Sequence, residues 1–335
     1  MNRHRLRLFV DVLPACVLTV LLVLPLIVFA ETREMRLVSV SQFIQHPALD
    51  ALLRGFKDYF ESENIPVKYR VHIAHGDQGA NKEIGERIAE ENPDLVLAIS
   101  TPSSQACYRA VRNATILFSA VTDPVGAGLV ESLDKPGPRI TGMTDMSPVD
   151  RQLALIVELQ PGLKKLGVIY NADESNSVSL VRIMKEECAK HGIVVVEQTV
   201  ADTDGVGAAA QSLVGRCDAV YVPGDNTVVS VIESVTRLCA ANHLPVYAAD
   251  VDSVPRGAVV ALAIDYYKMG RQTAHMAARI FKGKAPSSMP VESLKDLRIH
   301  VNVKAAELMG IELPVQLLLS ADIIYDTFPP KQTIE

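Results

Sequence analysis

This sequence is short of basic charge, cysteine and tryptophan, and it lacks the common catalytic signatures. Lys and Arg number 33 against 39 Asp and Glu, a formal net charge of −6. A nucleic-acid partner requires a basic patch, so this balance argues against one. No G-x-S-x-G elbow is present. No Walker loop or G-x-G-x-x-G follows a strand-like run. Gly126-Ala127-Gly128 is a turn behind Pro124. No H-E-x-x-H or paired-Cys metal site exists, and His72 and His75, close together at a strand end, fit a surface role better than a metal site. The reading is therefore of a chain that is not an enzyme and carries no cofactor. Of five cysteines, Cys107, Cys188, Cys217 and Cys239 lie beyond the N-terminal region. Their spacings match no metal motif and no dense disulfide framework. Free buried thiols are the expectation.

Long apolar runs are also scarce. There is one, Val12 to Ala30, broken only by Pro14, Thr19 and Pro25. Arg3, Arg5 and Arg7 precede it, and Glu31, Arg33 and Glu34 follow it. Charged start, apolar middle and a Val28-Phe29-Ala30 close fit a signal peptide over residues 1–30, cleaved after Ala30. At 19 residues the run also approaches a membrane span. An uncleaved anchor, carrying a membrane-bound sensory module, is the alternative. Leu13-Pro14-Ala15-Cys16 resembles a lipoprotein box, but the residues after Cys16 stay apolar where a lipidated mature end is polar.

What remains is a mature chain long enough for two domains. From Met35 onward, short apolar runs alternate with amphipathic patterns. The strand-like runs are 36–41, 67–74, 95–100, 116–120, 166–171, 193–198, 219–223, 246–249 and 259–264. Several are continuous Val/Ile/Leu stretches, as strands covered on both faces require. Helical patterns fall at 48–61, 149–159, 178–191, 227–241 and 266–281. This order predicts an α/β protein with parallel sheets and right-handed crossovers. The βα pattern runs over 36–146 and again over 147–264. Met146-Ser147-Pro148 is a crossing point before an N-capped helix. The last part is one helix and a short β-rich tail. Two doubly wound parallel-sheet lobes linked by several crossings would place a ligand in the crevice at the carboxyl ends of their strands.

Polar residues cluster at those ends. Ser41 and Gln42 end the first strand. Thr101, Pro102, Ser103, Ser104 and Gln105 follow the third, where a helix start could take a carboxylate or phosphate. Simple N-capping by Ser103 explains the same residues. Asp123 follows the fourth strand, and Asn171, Asp173, Glu174, Ser175, Asn176 and Ser177 close and follow the next. Asp225, Asn226 and Thr227 come after 219–223. Asp250 and Asp265 follow the last two strands. Any one cluster is more often a cap or turn. Seven at equivalent positions suggest a polar cleft. Asp and Glu accept from an ammonium, while Ser, Thr and Asn orient a carboxylate, which suits a zwitterionic solute.

Several of these segments resemble one family. They are Thr101-Pro102-Ser103-Ser104-Gln105-Ala106, Phe118 through Val125, Thr141-Gly142-Met143-Thr144-Asp145, and Leu166-Gly167-Val168-Ile169-Tyr170-Asn171. Pro223-Gly224-Asp225-Asn226-Thr227-Val228-Val229-Ser230 and Asp265-Tyr266-Tyr267 with Gly270-Arg271-Gln272 complete the set. In order and spacing, over roughly residues 36–320, they resemble the ABC-transporter substrate-binding proteins of the tryptophan/tyrosine type. The resemblance implies a type I periplasmic-binding-protein fold with three crossings. The lobes would be 36–146 with 265–285, and 147–264 with 286–323. It implies a hinged receptor outside the cytoplasmic membrane, serving a permease and its ATPase, with an aromatic amino acid as ligand; a monomer is the default, because no strongly apolar interface helix stands out. By position, Thr101, Ser103 and Ser104 would lie near the ligand carboxylate. Asp123, Asn176, Asp225, Asn226 and Asp250 would serve the amine and polar rim. An enzyme on the same scaffold remains the third reading, without a nucleophile or metal motif to support it.

Overall fold

The computed structural model describes residues 35–329. The expected signal peptide, its cleavage point and the alternative anchor lie outside the described residues. Among those described, no helix is long and apolar enough to cross a membrane.

The first part of the chain alternates strand and helix, except that its last two strands follow one another directly. It runs β1 (Arg36–Gln42), α1 (Pro47–Ser62), β2 (Val67–Ile73), α2 (Gln78–Glu91), β3 (Leu95–Ile99), α3 (Thr101–Ala110), β4 (Thr115–Ser119) and β5 (Ile140–Thr144). The second continues with α4 (Val149–Leu159), β6 (Lys165–Asn171), α5 (Ser175–Lys190), β7 (Val194–Val200) and α6 (Val206–Leu213). Then come β8 (Ala219–Val222), α7 (Asn226–Ser230), α8 (Ile232–Ala241), β9 (Val246–Ala248) and β10 (Val260–Ile264). The remainder is α9 (Tyr266–Phe281), β11 (Glu292–Ser293), β12 (Leu297–Asn302), α10 (Val303–Met309), α11 (Val315–Ser320) and β13 (Ile323–Tyr325).

These strands form two sheets. One is six-stranded, in the order β11-β5-β4-β3-β1-β2, and the other seven-stranded, β13-β12-β10-β9-β8-β6-β7. All pairs are parallel except β10 with β12. The first sheet is covered on both faces, which is why β3 reads Leu-Val-Leu-Ala-Ile with every residue buried. Leu95, Leu97 and Ile99 pack with Leu52, Phe56 and Ala277 of α1 and α9. Val96 and Ala98 point the other way, toward Ile88 and Cys107 of α2 and α3. The second lobe has its own core, with Leu153, Met184, Leu213 and Val235 around β6, β8, β9 and β10. All four cysteines beyond the N-terminal run are free and buried in these cores.

The chain passes between the sheets at residues 145–148, at Asp265 and at residues 294–296. After the second passage α9 returns to the first lobe and lies along α1. Their backbones meet at two glycines. A Cβ on Gly270 would lie 1.9 Å from the Leu52 carbonyl oxygen, and one on Gly55 would lie 2.1 Å from that of Tyr267.

Three local expectations change. The first lobe keeps the chain beyond residue 285, because Met289 joins its core and β11 pairs with β5. The helix expected over 227–241 is two helices, broken at Val231 (φ −124°, ψ 31°). The break frees the carbonyls of Val229 and Ser230, and both accept from the Arg256 guanidinium, which also pairs with Glu233. Ser147 does not cap α4; its N-cap is Pro148, with no side-chain bond.

Candidate functional site

The carboxyl ends of both sheets face each other across a narrow cavity. The first lobe carries strained backbone beside it, at Ala120, which lines the cavity, and at Ser100, which does not. Ser100, between β3 and α3, has φ 81° and ψ 162°, a region that essentially only glycine visits. Ala120, the equivalent residue after β4, has φ 55°. The Ser100 carbonyl accepts from the Ser104 hydroxyl at 2.7 Å, which helps hold the turn. The Ser100 and Thr101 hydroxyls are buried without a partner. They stand at the N-terminus of α3, outside the residues that line the cavity. Ser103 does not belong to this group, because its hydroxyl points into the lobe toward Asn81. At the end of β1, Gln42 donates to the Ile44 carbonyl and to Asp50, while Ser41 Oγ and Gln42 Oε1 are buried without partners.

The second lobe presents a closed network. Glu174 is fully buried and accepts from the Asn226 and Thr227 backbone amides at 3.1 and 2.9 Å, and from the Thr227 hydroxyl at 2.8 Å. The Asn226 and Asn176 side-chain amides donate to it as well. Asp225 accepts from the Asn171 and Val228 amides and from the Ser177 hydroxyl, at 2.7, 2.8 and 2.7 Å. Burial, then the neighbouring Glu174 carboxylate, push its pKa well above the usual range. Asn171, Glu174, Ser177, Asp225 and Thr227 are thus brought together, and their bonds run within the lobe.

Between the lobes lie the hinge residues. Asp145, in the first crossing, accepts from Thr122 at 3.0 Å and from the Tyr266 hydroxyl at 2.7 Å. Tyr266 opens α9 directly after the second crossing, so one carboxylate ties two hinge segments. Asp250, after β9, accepts from the Ser253 amide and hydroxyl. Burial raises the pKa of both Asp145 and Asp250. Asp145, Asp225 and Asp250 all line the cavity, and no Lys or Arg does. Buried carboxylates without a cation favour a ligand that brings one.

Of the residues singled out in sequence, Asn176, Asp225, Asn226 and Asp250 line the cavity. Asp123 sits at the rim, accepting from the Gly126 amide at 2.8 Å and from Ser179 of the facing lobe at 3.5 Å. Asp265 caps α9 through Lys268 and lines a different cavity, with Arg54 and Arg298. Sequence reasoning missed His46, Thr122, Asp145 and Tyr266. Thr122, Asp145 and Tyr266 stood in segments that carried the family resemblance, the one usable signal. His72, by contrast, pairs with Glu91 at 3.0 Å. No cluster of metal-ligating residues occurs among the described residues.

Two α/β lobes with a carboxylate-lined cleft at facing strand ends define a solute-binding protein of the type I periplasmic-binding-protein kind. The sequence model of the ABC transporter substrate-binding protein family matches residues 37–324, and the chain belongs to that family. Its members bind solutes and are not enzymes. The chain is 35% identical to a tyrosine-binding protein of Clostridioides difficile over 300 residues, 88% of this chain and 85% of that one. A Streptococcus pneumoniae ABC domain solved in complex with L-Trp is 30% identical, with a TM-score of 0.83, over 86% of this chain and 99% of that one. A ligand-free, open substrate-binding protein from Clostridium difficile is 35% identical but has a TM-score of 0.66, over 87% of this chain and all of that one.

Proposed function

We propose that this protein captures an aromatic amino acid between its lobes, outside the cytoplasmic membrane, and delivers it as a monomer to an ABC permease and its ATPase. The observation that carries this reading is the division of charge within the cleft. Buried carboxylates line the cavity with no cationic side chain among them, which suits an ammonium. Unpartnered hydroxyls at the start of α3, outside the lining of that cavity, would suit a carboxylate. A zwitterion meets both demands at once. The tyrosine-binding and Trp-bound relatives favour an aromatic side chain.

Hinge closure would trap the ligand. Across the lips of the cleft, Gln105 donates to Ser175 at 3.4 Å and Ser179 to Asp123 at 3.5 Å. The higher TM-score to the Trp-bound relative than to the open one, despite lower identity, supports a closed arrangement of this chain. The permease would then recognise the closed form.

The test is a thermal-shift screen of purified, ligand-stripped protein against the twenty amino acids, followed by calorimetry. An aromatic amino acid at about a hundred times its dissociation constant should add roughly 2.7 kcal/mol of stability. No shift with any amino acid would refute the reading.

A further inference from the structure

A second cavity, of about 400 Å³, lies between the lobes beside the ligand cavity. Its volume is within the range usual for small-molecule sites, roughly 300–1,000 Å³. The two cavities share one residue, Tyr266. Otherwise the same elements serve them in turn. Ala48 and Leu49 of α1 line the ligand cavity, and Ala51 and Arg54, further along that helix, line the second. Asp250 lines the ligand cavity and Asp252 the second.

Five charged side chains line the second cavity: Arg54, Asp252, Asp265, Arg298 and Asp322. Three of them have partners. Arg298 and Asp322 pair with each other, and Asp322 also accepts from the Ile299 amide at 2.9 Å. Asp265 accepts from the Lys268 amide at 3.0 Å as the N-cap of α9. Arg54 and Asp252 are left. Arg54 stands on α1 of the first lobe, its guanidinium 5.6 Å from the centre of the Tyr267 ring. Asp252 stands in the 3-10 turn Val251–Ser253 of the second lobe. Among the described residues neither side chain forms an ion pair or a hydrogen bond. Burial raises the Asp252 pKa to about 7, as for a carboxylate short of a cation or donor, and an ammonium beside it would favour the charged form.

The rest of the wall is largely apolar. The hydroxyls of Tyr266 and Tyr267 donate to Asp145 and Asp58 at 2.7 and 3.0 Å, so these residues offer the cavity ring rather than hydroxyl. Ala51, Val251 and Ile323 add aliphatic surface. The chamber thus has one free cation on one lobe and one free carboxyl group on the other. A simple anion would meet Arg54 but stand against Asp252, and a simple amine would do the reverse. A molecule that carries both an ammonium and a carboxylate satisfies both.

We propose that this second cavity is a binding site for a small zwitterion, with Arg54 taking its carboxylate and Asp252 its ammonium. The site is separate from the ligand cavity and does not depend on the aromatic amino-acid reading. Because its two anchors belong to different lobes, an occupant bridges them. It thereby stabilises the lobe arrangement in which Arg54 and Asp252 line one chamber.

Calorimetry of the unaltered protein with glycine, β-alanine and γ-aminobutyrate tests the proposal, since these probes differ chiefly in the distance between their two charges. The titrations are run at pH 8, above the Asp252 pKa of about 7. At least one probe should bind saturably, and butyrate and butylamine, with one charge each, should bind about tenfold more weakly or worse. R54M and D252N should each lower the affinity of that probe by about tenfold. Both variants should fold, because Arg54 is exposed and the Asp252 carboxylate holds no hydrogen bond, and thermal unfolding checks this. No binding of the three zwitterions at millimolar concentration would overturn the proposal, as would butyrate or butylamine binding as tightly as they do. Binding that both variants leave unchanged would place the zwitterion in the ligand cavity and overturn it equally.

Discussion

The two lobes meet the same cleft with opposite chemistry. On the first-lobe side, Ser41, Gln42, His46, Ser100 and Thr101 all carry buried polar atoms without partners. On the second-lobe side, Glu174 and Asp225 are saturated by backbone amides, hydroxyls and side-chain amides. The difference separates two roles that a list of polar residues merges. The second-lobe carboxylates Glu174 and Asp225 are satisfied within their own lobe, where Asn176 Oδ1 is the buried acceptor left open, and the first lobe holds most of the buried groups without partners. The comparison breaks most visibly at Glu174. Glu174→Ala should leave buried amides and hydroxyls unpaired and destabilise the protein by about 3 kcal/mol or more. Thermal and urea unfolding without ligand measure it. A variant of unchanged stability would mean that the second lobe is not held by this network.

Asp252 is the exception on the second lobe. It sits in the short 3-10 turn Val251–Ser253, beside Asp250, whose carboxylate caps that turn. Burial, then Asp250 and Asp265, raise its pKa to about 7, against the pull of Arg54 from the first lobe and of Arg256. The folded protein therefore holds a proton that the unfolded chain releases near pH 4. Stability from this group is complete below pH 4 and is lost as pH rises toward 7. Asp252→Asn removes the loss. The variant should match wild type near pH 4 and exceed it by about 2 kcal/mol at pH 8, once partial solvent access is discounted. Paired unfolding curves from pH 4 to 8 check this, and a constant gap across that range would refute it.

Much of this architecture was legible in sequence because sheets covered on both faces force continuous apolar runs. Leu95–Ile99 and Val260–Ile264 are such runs, and their polar sequels marked the cleft. The short strand β5 escaped the pattern: Gly142, whose Cβ would lie 2.0 Å from the Phe118 carbonyl oxygen, interrupts it. The break at Val231 escaped too, since Arg256, which holds the freed carbonyls, is distant in the chain. Residue type located Glu174 and Asp225 at the cleft but could not say where their lone pairs point. Partners from both the same and neighbouring strand ends satisfy them, and that is settled only in three dimensions. His46 was hidden for a related reason. Nothing before Pro47 distinguishes a capping residue from one whose ring turns into a cavity.

The smallest effect expected is also the sharpest on the first lobe, because it should move stability and binding in opposite directions. Ser100 occupies a conformation that costs a non-glycine residue about 1–3 kcal/mol. Its hydroxyl gains no bond in exchange. Ser100→Gly relieves the strain, offset in part by the greater freedom of glycine in the unfolded chain, so the free protein should gain about 1 kcal/mol. The same change removes one hydroxyl from the start of α3, and amino-acid affinity should fall by about 1 kcal/mol. Unfolding without ligand and calorimetry with it give the two numbers. Opposite signs would fit a first-lobe rim shaped for the ligand rather than for the fold. A loss of both would mean that the Ser100 hydroxyl supports the turn, and the contrast between the lobes would then rest on Thr101, Ser41, Gln42 and His46.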